Sequence, residues 1–561
     1  MDQLAVDRSS RLSPADPPRG ELTVADGFAA ASLAELFLFS AARHAQRPAL
    51  CVDDVSLSYA ELRDRASRIA GPLIDAGLDD GTRRCAILGN RGLTDFAGIL
   101  GALLARNTYV PLNLRHPVQR LARIAAEADI DSLVVGSAGL DAARSLLQAA
   151  PRPLLVLLPE ADQPPDYATE LRQHRYLCRG ALQPAEGLPE GKTDDGAYLL
   201  FTSGSTGEPK GVLVRNRNAL PYLRHVAERY RIGPDDRCTQ LFDLTFDLSV
   251  HDMFLCWGAG AALFRVPDSA RFAPRNFAQR HQLTTWFSVP SAAATMLGLR
   301  ALRPGDFPSL RLSLFCGEAL PKRIALAWAD AAPNSVIENI YGPTEATIAI
   351  TGFRLPADRA ALADLPEVLP IGAAFPGQHT ALVDPHDQPA ADGSEGELCL
   401  AGSQVTDGYW RRPDLTSQRF VRFPWDSAQR LWYRTGDRAR IDPRHGLSFL
   451  GRLDRQAKIA GHRIELQEVE AVLHRAANAN AAAIAWPLGP DGLARGIVAF
   501  VGQTERSVEA ILDACRTALP PYAVPSAIHR VEDWPLNSSG KTDHRQLRQI
   551  VETIACQTPT S

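Results

Sequence analysis

Between residues 84 and 113 the chain runs through a short apolar stretch, a longer one with helical spacing and a second short one: "RCAILGN", "FAGILGALLA" and "YVPLN". Strand, helix, strand at this spacing predicts βαβ units and a parallel sheet, so the fold class is α/β. "DSLVVG" and "PLLVLL" continue the alternation, and "LAELFLFSAARHA" and "LSYAELRDRASRIAGPLIDAGL" supply helices before it. Residues 157–192, rich in Pro, Glu, Asp and Gly, read as surface loops. The strand "AYLLFTS" follows, and the α/β pattern resumes through 240–350.

From about residue 365 the character changes. "HTALVD", "GELCLAG" and "LSFLGR" are short alternating strands of a β-rich subdomain. After "GRLDRQAKIAGHRIE" comes a smaller α+β unit: helix "LQEVEAVLHRAA", strands "AAAIAW" and "GIVAFVG", helix "VEAILDACRTAL". The expected organisation is a disordered leader over 1–31, a large domain over 32–453, a small C-terminal domain over 454–550 and a tail over 551–561. A chain of 561 residues is too long for one core, which fits this division.

Charge bounds the partners. A net charge of −4 gives no support for nucleic-acid or anionic-membrane binding. The longest apolar run, Met253–Phe264, is too short to span a bilayer. The nine scattered cysteines, without a C-x-x-C pair, read as reduced thiols. No signal peptide opens the chain, so the expected location is cytoplasmic.

Two stretches carry chemistry. "FTSGSTGEPKG", residues 201–211, packs hydroxyls, glycines and a lysine into a loop after a strand. Glycines allow close backbone approach and expose amide donors, and a lysine neutralises phosphate. The spacing is not that of a Walker loop. The second stretch, "TFDLSVHDMFLCW" (245–257), sets Asp247 inside an apolar run. A buried carboxylate stripped of its partner costs about 3–5 kcal/mol, so Asp247 either faces solvent or meets a positive group.

"TSGSTGEPKG" resembles the signature loop of the adenylate-forming superfamily: acyl-CoA synthetases, luciferases and the adenylation domains of nonribosomal peptide synthetases. Further matches follow in the expected order over roughly residues 32–550. They are "LSYAEL", "YVPLN", "FDLSVHDMF", "NIYGPTEAT", "GELCLAG", "YRTGD", "GRLDRQAKIAGHRIEL", "LPPYAVP" and "NSSGKTDHRQL". The resemblance implies a large adenylate-forming domain with parallel sheets and a β-rich part, followed by a small mobile lid. It also implies that a carboxylate attacks the α-phosphate of ATP and pyrophosphate leaves, with Mg²⁺ assisting.

By this resemblance Thr202, Ser203, Gly204, Ser205, Thr206 and Lys210 would hold the β- and γ-phosphates. Thr344 would bond the α-phosphate and Glu345 would hold Mg²⁺, a hard ion suited to oxygen. Tyr341 would stack on adenine with Asn339 near its edge, and Asp437 and Arg452 would reach the ribose. Lys541 would bridge the carboxylate and α-phosphate oxygens, favouring the negative charge of the transition state. Asp454 matches the family hinge. Rotation there would withdraw Lys541 and present the "QAKIAGHRIEL" face, with Lys458 and Gly461, for thioester formation. Ala460 stands where many relatives carry arginine.

Members that activate α-amino acids carry aspartate at the second position of "FDxS", where it pairs with the substrate ammonium; here that residue is Asp247. The pocket wall, carried over in the same way, comprises Leu248, His251, Phe287, Leu314, Cys316, Gly317, Ile340 and Ile348. Its bulk favours a small amino acid. "FCGEALP" and "YGPTEAT" resemble the D-alanine–carrier protein ligases, and also free-standing proline activators. Alanine is therefore the first expectation and proline the second, with His251, Ile340 and Ile348 as departures from the D-alanine pattern. No carrier segment follows residue 550, so the expected acceptor is the phosphopantetheine thiol of a separate carrier protein. The rival acceptor is free coenzyme A, which Asp247 disfavours because most CoA ligases bind no ammonium.

Overall fold

The structure is a computed structural model that describes residues 27–202, 209–358, 361–362, 364–391, 393–489, 493–536 and 542–557. Two mainly parallel sheets dominate the first part. One has nine strands, and its parallel run is Pro48–Val52, Ala262–Arg265, Arg237–Gln240, Thr285–Ser288, Leu312–Phe315 and Val336–Tyr341. Antiparallel strands close both edges, Val55–Ser58 on one side and Thr351–Arg354 with Ala373–Ala374 on the other. The other sheet has seven strands and contains the βαβ unit predicted over 84–113: Arg84–Gly89 and Thr108–Asn113 pair in parallel across the helix Leu93–Leu104. Every residue of Thr108–Asn113 is buried, as expected of a strand covered on both faces.

Local signals set the boundaries. Ser58 caps the helix Tyr59–Asp75 by accepting from the Glu61 N–H, while the Glu61 carboxylate accepts from the Ser58 N–H. The stretch 157–192 is mostly loop but includes the strand Arg175–Cys178 at the edge of the seven-stranded sheet. Its sequence, Arg-Tyr-Leu-Cys, is only four residues long and only Cys178 is buried, so the strand is too short and too exposed for the pattern to reveal it.

The β-rich part is a five-stranded antiparallel sheet of Gln378–Val383, Glu395–Gly402, Trp432–Asp442, Phe420–Val421 and Gly446–Arg452. The C-terminal part begins with a two-stranded hairpin, Gln456–Ile459 and His462–Glu465. The helix Leu466–Ala477 and the strands Ala481–Ala485 and Ile497–Val501 follow as read from sequence, with the helix Val508–Ala518 packed on them. The strand Ala527–Arg530 adds in parallel to Ile497–Val501.

Two boundaries move. Phe28 is buried in the main core and its carbonyl accepts from Arg224, so the packed chain already includes residues assigned to the leader. The last helix, His544–Gln557, runs past residue 550, and its Leu547 and Val551 pack on Val498 and Phe500. Among the described residues no helix is long and apolar enough to cross a membrane.

Candidate active site

Four neighbouring strands of the nine-stranded sheet deliver most of the expected pocket. Ile340 lies near the end of Val336–Tyr341, Leu314 lies in Leu312–Phe315 with Cys316 and Gly317 just beyond it, and Phe287 lies in Thr285–Ser288. Asp247, Leu248 and His251 follow Arg237–Gln240, the next strand across. Carboxyl ends of parallel strands are where open α/β sheets bind ligands.

Asp247 is 6% exposed, so it does not face solvent. Its Oδ2 accepts from the Ile348 N–H at 3.1 Å, and the Thr344 hydroxyl donates to the same carboxylate. Burial nevertheless pushes its pKa up to about 6, and the nearby Glu345 charge adds to the rise. No cation of the described residues forms an ion pair with it. Leu248, His251, Phe287, Leu314, Cys316, Ile340 and Ile348 are all buried. His251 is fixed from behind: its Nδ1 is hydrogen-bonded to the Tyr222 hydroxyl at 2.7 Å, and its ring meets the Phe287 ring at 4.7 Å. Burial lowers its pKa to about 3, so it is neutral. Burial also raises the Cys316 thiol to about 12, which keeps it protonated. Gly317 takes φ +90°, and a Cβ there would approach Val289 Cγ1 to 3.3 Å.

Thr347 and Ile348 both adopt left-handed φ, at 55° and 71°. For a β-branched residue that conformation is strained and needs support. Gln404 supplies it: its Nε2 donates to the carbonyls of Ala346, Thr347 and Ala349, and its backbone carbonyl accepts from the Thr347 hydroxyl. The strained turn aims the Ile348 N–H at Asp247.

Glu345, wholly buried, is the centre of a second cluster. It accepts from the Tyr409 hydroxyl at 2.8 Å and from Arg463 Nη1 at 3.0 Å, with Lys210 Nζ at 3.6 Å. Burial alone would raise its pKa, but the Arg463 and Lys210 charges hold it well below the carboxylate range. Burial lowers Lys210 to about 8. Thr202 ends the strand Gly196–Thr202 and pairs with Lys210, the first residue of the antiparallel strand Lys210–Arg215. Ser203, Gly204, Ser205, Thr206 and Lys541 lie outside the described residues.

The third cluster joins Tyr341, whose hydroxyl donates to Asp437 Oδ2 at 2.5 Å, to Arg452, which donates to Asp437 Oδ1 at 2.5 Å. Asn339 donates its amide to the Pro370 carbonyl at 2.8 Å. Asp454, at the expected hinge, accepts from Arg452 Nε at 2.9 Å and from Arg452 Nη2 at 2.6 Å.

The C-terminal hairpin reaches into this site. Lys458 Nζ lies 5.7 Å from the centroid of the Tyr341 ring, Arg463 holds Glu345, and the His462 ring meets Phe246 at 4.8 Å. Among the described residues no group of three His, Cys, Asp or Glu side chains could hold a metal. A lone ionised Glu345 suits Mg²⁺, which usually takes one or two carboxylates and completes its shell with substrate phosphates and water. Here the Arg463 guanidinium occupies those carboxylate oxygens.

Sequence reading did not find Tyr222, Gln404 or Tyr409. Each acts through a contact dozens of positions away, and none carries a local chemical signature. Arg463 lies inside "QAKIAGHRIEL", but the resemblance gives it no role of its own.

A family model described as AMP-binding enzyme matches residues 37–410, and one described as AMP-binding enzyme C-terminal domain matches 468–541. The chain belongs to the AMP-binding enzyme family. It is 32% identical over 518 residues to the L-proline--[L-prolyl-carrier protein] ligase of Streptomyces coelicolor, covering 91% of this chain and 94% of that one. It is 31% identical to tyrocidine synthase 3 of Brevibacillus parabrevis over 92% of this chain but only 8% of that protein. The fold matches the Vibrio cholerae adenylation domain AlmE, solved in complex with glycyl-adenosine-5'-phosphate, with a TM-score of 0.84 and 33% identity over 93% of this chain and 98% of that one.

Proposed function

We propose that the protein activates a small α-amino acid as its aminoacyl-AMP and passes the aminoacyl group to the phosphopantetheine thiol of a carrier protein. The observation that carries this reading is Asp247, a buried carboxylate beside the pocket wall with hydrogen bonds but no ion pair among the described residues. A substrate ammonium is the partner it lacks, and binding one would draw its pKa back down.

In the first half-reaction a carboxylate oxygen of the amino acid bonds to the α-phosphorus of ATP, and the bond to the pyrophosphate oxygen breaks. Such transfers depend on positioning and charge neutralisation more than on a protein nucleophile. Lys210 brings positive charge to the start of the strand Lys210–Arg215, and Glu345 is kept ionised to receive a cation. Mg²⁺ would neutralise phosphate charge there. Lys541 is proposed to stabilise the transition state. Thr344, Tyr341, Asn339, Asp437 and Arg452 are proposed to hold the nucleotide, which requires Asp437 to exchange its present partners for ribose hydroxyls. In the second half-reaction the thiol sulfur attacks the carbonyl carbon, AMP leaves, and the thiol proton is released.

The side chain accepted is small, glycine or alanine. The support is the bulk and burial of His251, Phe287, Leu314, Ile340 and Ile348, together with the glycyl-adenylate bound by the Vibrio relative. Proline is the second reading, favoured by the Streptomyces ligase. Amino-acid-dependent ATP–pyrophosphate exchange across the small D- and L-amino acids tests the proposal. Exchange with glycine or alanine supports it, and exchange only with acids lacking an amine removes it.

A further inference from the structure

We propose that Glu318 is a latch: a positioning residue that seats the Gln456–Glu465 hairpin for thiol transfer and takes no part in adenylation. The inference rests on the two-step reading above. Glu318 follows Gly317 in the turn beyond Leu312–Phe315 and is itself buried. Its two oxygens serve two different parts of the molecule. Oε2 accepts from the Ser291 N–H at 2.8 Å, at the start of the helix Pro290–Gly298. Oε1 accepts from the Gly461 N–H at 2.7 Å, a residue 143 positions further along at the hairpin tip.

The first bond has a local reason, because the opening N–H groups of a helix have no partner inside it. The second has none: it exists only while the hairpin is docked. A carboxylate accepting from a backbone N–H makes a charge-assisted bond, roughly twice as strong as a neutral one. The tip also sits flush against the wall. Gly461 has φ +83°, and a Cβ there would lie 2.4 Å from Val289 Cγ1. Glycine is therefore what lets the N–H come within reach of Glu318.

Seating the tip fixes two cations at once. Lys458 and Arg463 are directly paired across the hairpin. With the tip latched, Lys458 stands at the Tyr341 ring and Arg463 at Glu345. Arg463 then holds the carboxylate that adenylation reserves for Mg²⁺. The latched arrangement thus belongs to the second half-reaction, and the latch can be lost without harm to the first.

The test uses the full-length protein with Glu318→Ala and Glu318→Gln. Gln keeps one acceptor oxygen, enough for Ser291 but not for both N–H groups, so it spares the helix start if Ala does not fold. Three readouts are taken: ATP–pyrophosphate exchange, aminoacyl transfer to free pantetheine, and the rate of trypsin cleavage at Arg455, Lys458 and Arg463. The expected result is transfer slower by about tenfold or more, exchange within about twofold, and faster cleavage of the hairpin. Exchange and transfer falling together, or neither changing, overturns the latch. If the wild-type protein exchanges with no amino acid, the function reading fails, and cleavage rates still decide whether Glu318 holds the hairpin.

Discussion

Asp247 holds its proton more tightly in the folded chain, at about 6, than an ordinary aspartate at 3.8. Stability linked to this group is full below the ordinary value and is lost as pH rises through about 6. At pH 7.5 Asp247→Asn should therefore stabilise the substrate-free protein, by about 1–3 kcal/mol. Melting temperatures from pH 5 to 7.5 check this, since the gap between variant and wild type should widen with pH. The same variant should bind ATP yet lose amino-acid-dependent exchange. At His251 the structure resolves whether the ring is fixed: Tyr222 holds it as a neutral wall. Tyr222→Phe frees the ring, and the KM for the preferred amino acid should rise about 3- to 10-fold with kcat little changed. Asp247 was legible in sequence as a misplaced charge. Tyr222 was not, because a buried tyrosine in a helix looks like core until its hydroxyl is given a partner.

The element most at risk is the turn after Thr344–Ala346, where Thr347 and Ile348 are held left-handed. Gln404, 55 to 58 positions away, satisfies three of its carbonyls. Gln404→Ala removes the amide donor from the Ala346 and Ala349 carbonyls in a buried site, while the Thr347 carbonyl keeps the Ala349 N–H, and urea unfolding should show a loss of about 1–3 kcal/mol. An unchanged midpoint would mean that the turn supports itself. "YGPTEAT" announced a functional turn, but its support comes from the loop "AGSQVTDGY" between antiparallel strands of another sheet. Helices and buried parallel strands were readable because period and apolar runs are local. The edge strand Arg175–Cys178 was not, since an edge position relaxes the pattern.

At the scale of the whole molecule, the sequence divides into a large α/β part, a β-rich part and a small α+β part, as the structure does. What stays hidden in sequence is how the last part docks. Arg120 and Glu468, 348 positions apart, form a 2.7 Å ion pair with both side chains buried. Removing one partner of a buried pair is strongly destabilising. Arg120→Met should accordingly loosen the docking and hasten trypsin cleavage between residues 452 and 463, read by mass spectrometry. Equal rates in variant and wild type would assign that pair no part in docking. The central claim is that Asp247 receives a substrate ammonium. ATP–pyrophosphate exchange measured side by side with glycine, alanine, proline and matched acids lacking the amine tests it most directly. The proposed function predicts exchange with glycine or alanine that Asp247→Ala abolishes while ATP still binds; exchange supported only by the amine-free acids would contradict it.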